Sequence, residues 1–154
     1  GNTITGKVIA IIDGDTYEVL IQDNKTIRVR MEGIDAPEKG MPFYKVSKKY
    51  LSDLCFGKQV TLKITGEDQH DRVLAFAYLE DGKELSQEMI KAGLAWHFKK
   101  YNSNQELSEF ELEARNLRKG LWIDENPMSP WENRKLHRNG ISTKDSFNIE
   151  ENNR

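Results

Sequence analysis

Asp13, Asp15, Asp35 and Glu38 all fall in or beside loops that follow runs of β-branched residues, close enough along the chain to be folded onto one another. Carboxylates gathered at one place, with no histidine or thiolate beside them, select a hard cation held through oxygen, calcium or magnesium. Arg30 precedes Asp35 in the same segment, and Arg72 opens a later apolar run. A guanidinium stays charged at any working pH and offers paired donors to phosphate oxygens. A divalent cation, two arginines and a spare carboxylate are the components of phosphodiester hydrolysis. The cations stabilise charge building on the phosphate while the carboxylate deprotonates or aligns a water. The same residues also permit a plainer account: Asp-Gly and Asp-x-Pro form turns without any metal, and Arg30 can pair with Glu32 or Glu18.

The elements that must position these groups are legible in the pattern. Residues 3–12 are β-branched and stop at the turn signal Asp13-Gly14-Asp15. Residues 16–21 and 26–32 continue as extended runs. In the latter, Ile27, Val29 and Met31 alternate with Arg28 and Arg30, so period two puts both arginines on the face away from the core. Gly33 and Pro37 bracket the loop carrying Asp35, Ala36 and Glu38. A helix is predicted over about 42–56, with Phe43, Val46, Tyr50 and Leu54 at helical spacing and Gly57 ending it. Residues 58–65 and 72–79 read as two more strands. Five strands with a helix after the third predict an α+β fold built on a small Greek-key barrel of the OB type, with about three helices in all.

The second part of the chain is helical. Residues 85–92 form a short helix closed by Gly93. Ser103 and Glu106 make a capping box ahead of an apolar stripe of Leu107, Phe110, Ala114, Leu117 and Leu121, with Gly120 placed to terminate it. One domain over 1–140 is expected, followed by a polar, loosely ordered tail over 141–154.

Bulk properties narrow the class. The 154 residues carry a net charge of −2, so the strongly basic balance of a nucleic-acid coat protein is absent and only local clusters such as Lys45, Lys48 and Lys49 remain. Cys55, the single cysteine, excludes an intrachain disulfide and a thiolate metal site; its apolar register predicts a small buried hydrophobe. No stretch is long and apolar enough to span a membrane.

The ordered strings Ile12-Asp13-Gly14-Asp15-Thr16, Arg28 to Glu38 and Asp71-Arg72-Val73-Leu74-Ala75 resemble the staphylococcal nuclease-like (thermonuclease) family. So do Ala92-Gly93-Leu94-Ala95-Trp96, Glu113-Ala114-Arg115 and Lys119-Gly120-Leu121-Trp122, and the match runs from about residue 4 to 135. The resemblance implies a calcium-dependent nuclease that cleaves DNA and RNA, single-stranded or frayed, by water attack and leaves 3′-phosphate ends. It implies Ca²⁺ on Asp15, Asp35 and the Ala36 carbonyl, with Asp13 supporting the metal through water. Glu38 becomes the general base or water-positioner, Arg30 the arginine bridging the scissile phosphate, and Arg72 the transition-state arginine. Tyr101 matches a base-stacking tyrosine, with His70 and Trp96 as further substrate contacts. The chain departs from the family where Tyr-Gly often precedes the second arginine, since His70-Asp71 stands there. The alternative is an OB-type nucleic-acid- or protein-binding module without catalysis, which should lack part of the site. A monomer with no obligate protein partner and no membrane association is expected. A secreted or otherwise extracytoplasmic location follows from the use of calcium and from a start, Gly1-Asn2, compatible with a removed leader.

Overall fold

The computed structural model describes residues 3–99 and 104–147. Its core is a closed five-stranded barrel in the order β1-β2-β3-β6-β5. The strands are β1 (Thr3–Asp13), β2 (Thr16–Ile21), β3 (Lys25–Met31), β5 (Gln59–Glu67) and β6 (Val73–Leu79); β4 (Ile34–Asp35) lies outside the barrel and pairs with β7 (Trp96–His97). β1 closes the barrel on β5, from Thr3 opposite Lys63 to Lys7 opposite Gln59. The β3–β6 seam is parallel, with Arg30 opposite Leu74. The predicted alternation holds on β3: Val29 and Met31 are buried and Arg28 is exposed.

Helix α1 (Tyr44–Cys55) follows the Asp35 loop, and Gly57 stands just beyond it with φ +76. Its buried positions are Ser47, Leu51 and Cys55. Val46 is 40% exposed rather than part of the apolar face. At 3.6 residues per turn the stripe through Ser47, Leu51 and Cys55 leaves Val46 about 100° away from Ser47. The small Ser47 belongs to that stripe because its Oγ donates to the Leu94 carbonyl at 2.6 Å, which ties α1 to the segment entering β7. Fully burying a leucine such as Leu51 contributes about 1.5–3 kcal/mol. Cys55 is buried, as its register predicts, and burial pushes its thiol up to about 12.

Helix α2 (Leu85–Lys91) is capped by Glu84, whose buried carboxylate accepts from the amides of Ser86 and Gln87 at 2.9 Å each. The cap of α3 (Gln105–Asn116) is Asn104, accepting from the Leu107 amide at 3.1 Å, and the expected capping residue Ser103 lies outside the described residues. α3 also stops earlier than its apolar stripe suggests. Asn116 ends it, Arg118 turns left-handed at φ 53, and Leu117 is 58% exposed. Gly120 does not terminate α3; it packs backbone to backbone on Gly93, with the Leu121 amide donating to the Gly93 carbonyl at 2.8 Å.

A fourth helix, α4 (Pro130–Arg138), extends the expected count. Ser129 caps it, accepting from the Glu132 amide at 3.2 Å, and Pro130 occupies its first turn. Part of the expected loose tail is anchored to α4: the Thr143 hydroxyl is buried and bonds Asn133 and His137. The remainder, 148–154, lies outside the described residues.

Candidate active site

Two turns and one strand end meet beside the barrel. The β1–β2 turn delivers Asp15 through Gly14, at which any Cβ would collide with Ser47 of α1 and crowd Ala36. Glycine is therefore what allows the first acidic turn to lie against both the helix and the second acidic loop. Asp15 is 7% exposed; its Oδ1 accepts from the Thr16 hydroxyl and its Oδ2 from the Ala36 amide, each at 2.9 Å. Asp35 is 2% exposed and sits in β4, directly opposite Trp96 of β7.

Arg30 joins the two acids. Its Nη1 donates to the carbonyls of Met31 at 2.9 Å and Ile34 at 2.8 Å, which fixes the guanidinium plane. Its Nη2 then lies 3.5 Å from Asp15 Oδ2 and 3.3 Å from Asp35 Oδ1. Neither of the pairings considered for Arg30, with Glu32 or Glu18, is the one formed. Glu18 instead meets Arg28 at 3.4 Å.

Glu38 is drawn into the same group by a residue the sequence reading passed over. Arg134 of α4 places Nη2 2.8 Å and Nη1 3.4 Å from the two oxygens of Asp35, and Nη1 3.1 Å from Glu38 Oε1. Burial pushes the Asp35 carboxyl above its ordinary value; the hydrogen bond from Arg134 and the charge of Arg30 offset this only in part. Burial likewise raises Glu38 against the opposing charge of Arg134. Two carboxylates facing two guanidiniums thus remain poorer acids than in water, because desolvation outweighs the pairing. A signal for α4 stood in the sequence: Ser129 and Glu132 form a capping box, Pro130 suits the first turn, and Lys135, His137 and Arg138 suit the last. Only its polarity, with few apolar residues, hid it.

The other candidate residues are placed differently. Asp13 accepts from the Tyr44 hydroxyl at 2.8 Å; burial first, then that bond, push the tyrosine up to about 12. Arg72 is held in its own turn, Nε donating to Asp68 Oδ2 at 2.7 Å, while Asp68 Oδ1 accepts from the amides of His70 and Arg72. Its Nη atoms have no partner among the described residues. Asp71 takes a left-handed φ of 60, which explains why glycine suits that position in the resemblance. His70 is exposed. Trp96 is buried, its ring 4.6 Å from Trp122 and 5.4 Å from Trp131, so it supports the neighbouring surface rather than offering a free face for stacking. Tyr101 lies outside the described residues.

No group of three or more His, Cys, Asp or Glu side chains close enough to hold a metal ion occurs among the described residues. The two acids that converge on Arg30 supply hard oxygen donors only, a chemistry that suits an alkaline-earth cation completed by a carbonyl and water.

Residues 28–124 match the family model described as staphylococcal nuclease homologue. The chain belongs to that family. This staphylococcal nuclease-family chain is 38% identical over 128 residues to an uncharacterized endonuclease of Escherichia coli, covering 83% of each chain. It is 41% identical over 126 residues to an uncharacterized endonuclease of Haemophilus influenzae, covering 82% of this chain and 70% of the relative. With a micrococcal nuclease of Shigella flexneri it shares 35% over 147 residues, 89% of this chain and 84% of the relative. Asp15 and Arg134 both lie outside the segment matched by the family model, so a reading confined to that segment omits one acid and one arginine of this cluster.

Proposed function

We propose that this nuclease-family chain hydrolyses phosphodiester bonds of DNA and RNA in a calcium-dependent reaction, preferring single-stranded or frayed substrate and leaving 3′-phosphate ends. The observation that carries the reading is the convergence of Asp15, Arg30, Asp35 and Glu38 within one chain of contacts, none of them longer than 3.5 Å. Asp15, Asp35 and the Ala36 carbonyl would hold Ca²⁺, which when bound supplies positive charge to a phosphate oxygen and to the attacking water. Burial divides the acids by task. Asp15 and Asp35 are enclosed, whereas the Glu38 side chain keeps 36% of its surface and can meet solvent. Glu38 takes the proton of the attacking water, because it is the acid of the three whose carboxylate solvent can reach. Arg30, its plane fixed by two carbonyls, braces the phosphate; Arg72 brings its Nη atoms to the charge that develops later. The leaving group is the 5′-oxygen. The chain acts as a monomer outside the cytoplasm. No helix among the described residues is long and apolar enough to cross a membrane.

The test is hydrolysis of heat-denatured DNA with calcium, against chelator and against Glu38→Gln. Cleavage that requires calcium and drops by at least about a hundredfold in the variant is expected, since general-base catalysis contributes about 10²–10⁴-fold. Equal turnover by a folded Glu38→Gln protein would remove Glu38 from the mechanism. No cleavage by folded wild type would favour the non-catalytic binding module.

A further inference from the structure

Beside the carboxylate cluster lies an open cleft of about 690 Å³ whose walls include Phe98, Lys99, Trp131, Arg134, Lys135 and Arg138. Four of these belong to α4, at positions 131, 134, 135 and 138, the spacing that puts residues on one helical stripe. The stripe has two ends. Arg134 grips Asp35 and Glu38, and so belongs to the cleft and the site at once. Trp131, Lys135 and Arg138 face the cleft beyond it.

The charges in this cleft are unbalanced although the chain as a whole is slightly acidic. The acid lining it, Glu111, is committed to Arg115 at 3.2 Å and Lys99 at 3.5 Å. Lys135 and Arg138 have no ion-pair partner among the described residues. Trp131 is 38% exposed, its ring propped edge-on by Trp96 at 5.4 Å and Phe98 at 5.1 Å, which leaves ring surface to the cleft at a fixed orientation. Trp96 brings a buried Nε1 without a partner among the described residues. A held aromatic ring flanked by unpaired cations, continuous with a phosphate-cleaving centre, fits a flexible polyanion carrying flat bases.

We propose that the α4 stripe is a strand-binding subsite for single-stranded nucleic acid. Trp131 stacks a base next to the scissile linkage, and Lys135 and Arg138 neutralise the phosphates that follow it. The proposal rests on the nuclease reading for its orientation, but its test does not need cleavage. A labelled oligothymidylate of about ten nucleotides, within the usual range of site sizes, is titrated with the whole chain in EDTA at several salt concentrations and followed by fluorescence anisotropy. Loss of two phosphate contacts in Lys135→Ala/Arg138→Ala should flatten the log–log salt slope by about 1.4, at about 0.7 per phosphate, and weaken low-salt binding about tenfold. Trp131→Leu should weaken binding at least about fivefold and leave the slope unchanged, because stacking releases no counterions. A correctly folded double variant with the affinity and slope of wild type overturns the proposal, as does wild type that fails to bind. Displacement of the oligonucleotide by an acidic peptide of equal charge, as readily as by unlabelled strand, overturns the assignment to nucleic acid. Failure of the nuclease reading shows separately, as absent calcium-dependent cleavage with the strand binding intact.

Discussion

At the scale of single residues, Arg134 changes how the cluster is understood. Asp35 is almost wholly buried between two guanidiniums, so removing either leaves an enclosed carboxylate short of its counter-charge. Arg134→Ala is expected to cost about 1–2 kcal/mol of stability, less than a fully buried pair because Arg134 is part exposed. It should also lower kcat at least about tenfold with a smaller change in KM, as expected of a residue that positions Glu38. Arg134→Lys should recover only part of the loss, since a point charge cannot span two carboxylates. Steady-state kinetics and thermal melts of the two variants check this, and unchanged kcat in the alanine variant would leave Arg134 a purely structural contact. A second residue prediction concerns Asp68. Burial pushes its carboxyl up, but the amides of Arg72 and His70 and the Arg72 guanidinium outweigh that and hold it below the ordinary range. A depressed carboxyl stabilises the fold above its unfolded pKa, about 3.9, and that contribution is lost as pH falls through the folded value. Asp68→Asn should therefore melt about 2 °C below wild type at neutral pH, with the gap closing under acid conditions. A gap that does not depend on pH would assign the effect to packing rather than charge.

Among the elements, close backbone contacts set what can be changed. Gly93 and Gly120 are both left-handed, at φ +73 and φ +51, and a Cβ on Gly120 would run into the Gly93 carbonyl. Gly57 is left-handed too, at φ +76, but faces open space. Gly57→Ala should cost about 1 kcal/mol, for backbone strain alone. Gly120→Ala should cost at least about 2 kcal/mol and lower Tm by about 4–8 °C, because strain and collision combine. Equal melting points for the two would mean that the segment after α3 shifts freely. The barrel strands were legible in the sequence because alternation in β3 reports burial directly, while the β-branched run in β1 reports extended backbone rather than burial, since Gly6 and Val8 alone are buried there. The site was legible in part: Asp15, Arg30, Asp35 and Glu38 were named, and they do meet. Arg134 was not, because the contact depends on how α4 docks, which no local periodicity encodes. Val46 and Leu117 were misplaced for a related reason. Apolar spacing marks a stripe, but Ser47 displaced Val46 from it by a hydrogen bond, and the end of α3 at Asn116 left Leu117 outside.

Across the whole molecule, the barrel and the helical part divide the work. The barrel and its first loops supply the carboxylates and Arg30, while α4 supplies one counter-charge and the basic face of the cleft. The short β4–β7 pair joins the two, setting Asp35 opposite Trp96. One contact has a meaning in time as well as in space. Asp35 and Arg134 are separated by 99 positions along the chain, so a ribosome delivers the acids long before it delivers the arginine that completes them. Until then Arg30 is the one guanidinium beside Asp35 among the described residues, and the cleft lacks the wall that α4 supplies. Translation therefore makes the contacts of Arg134 with Asp35 and Glu38 the last of this cluster to form, and closure of the acidic group is a late event in the life of the nascent chain.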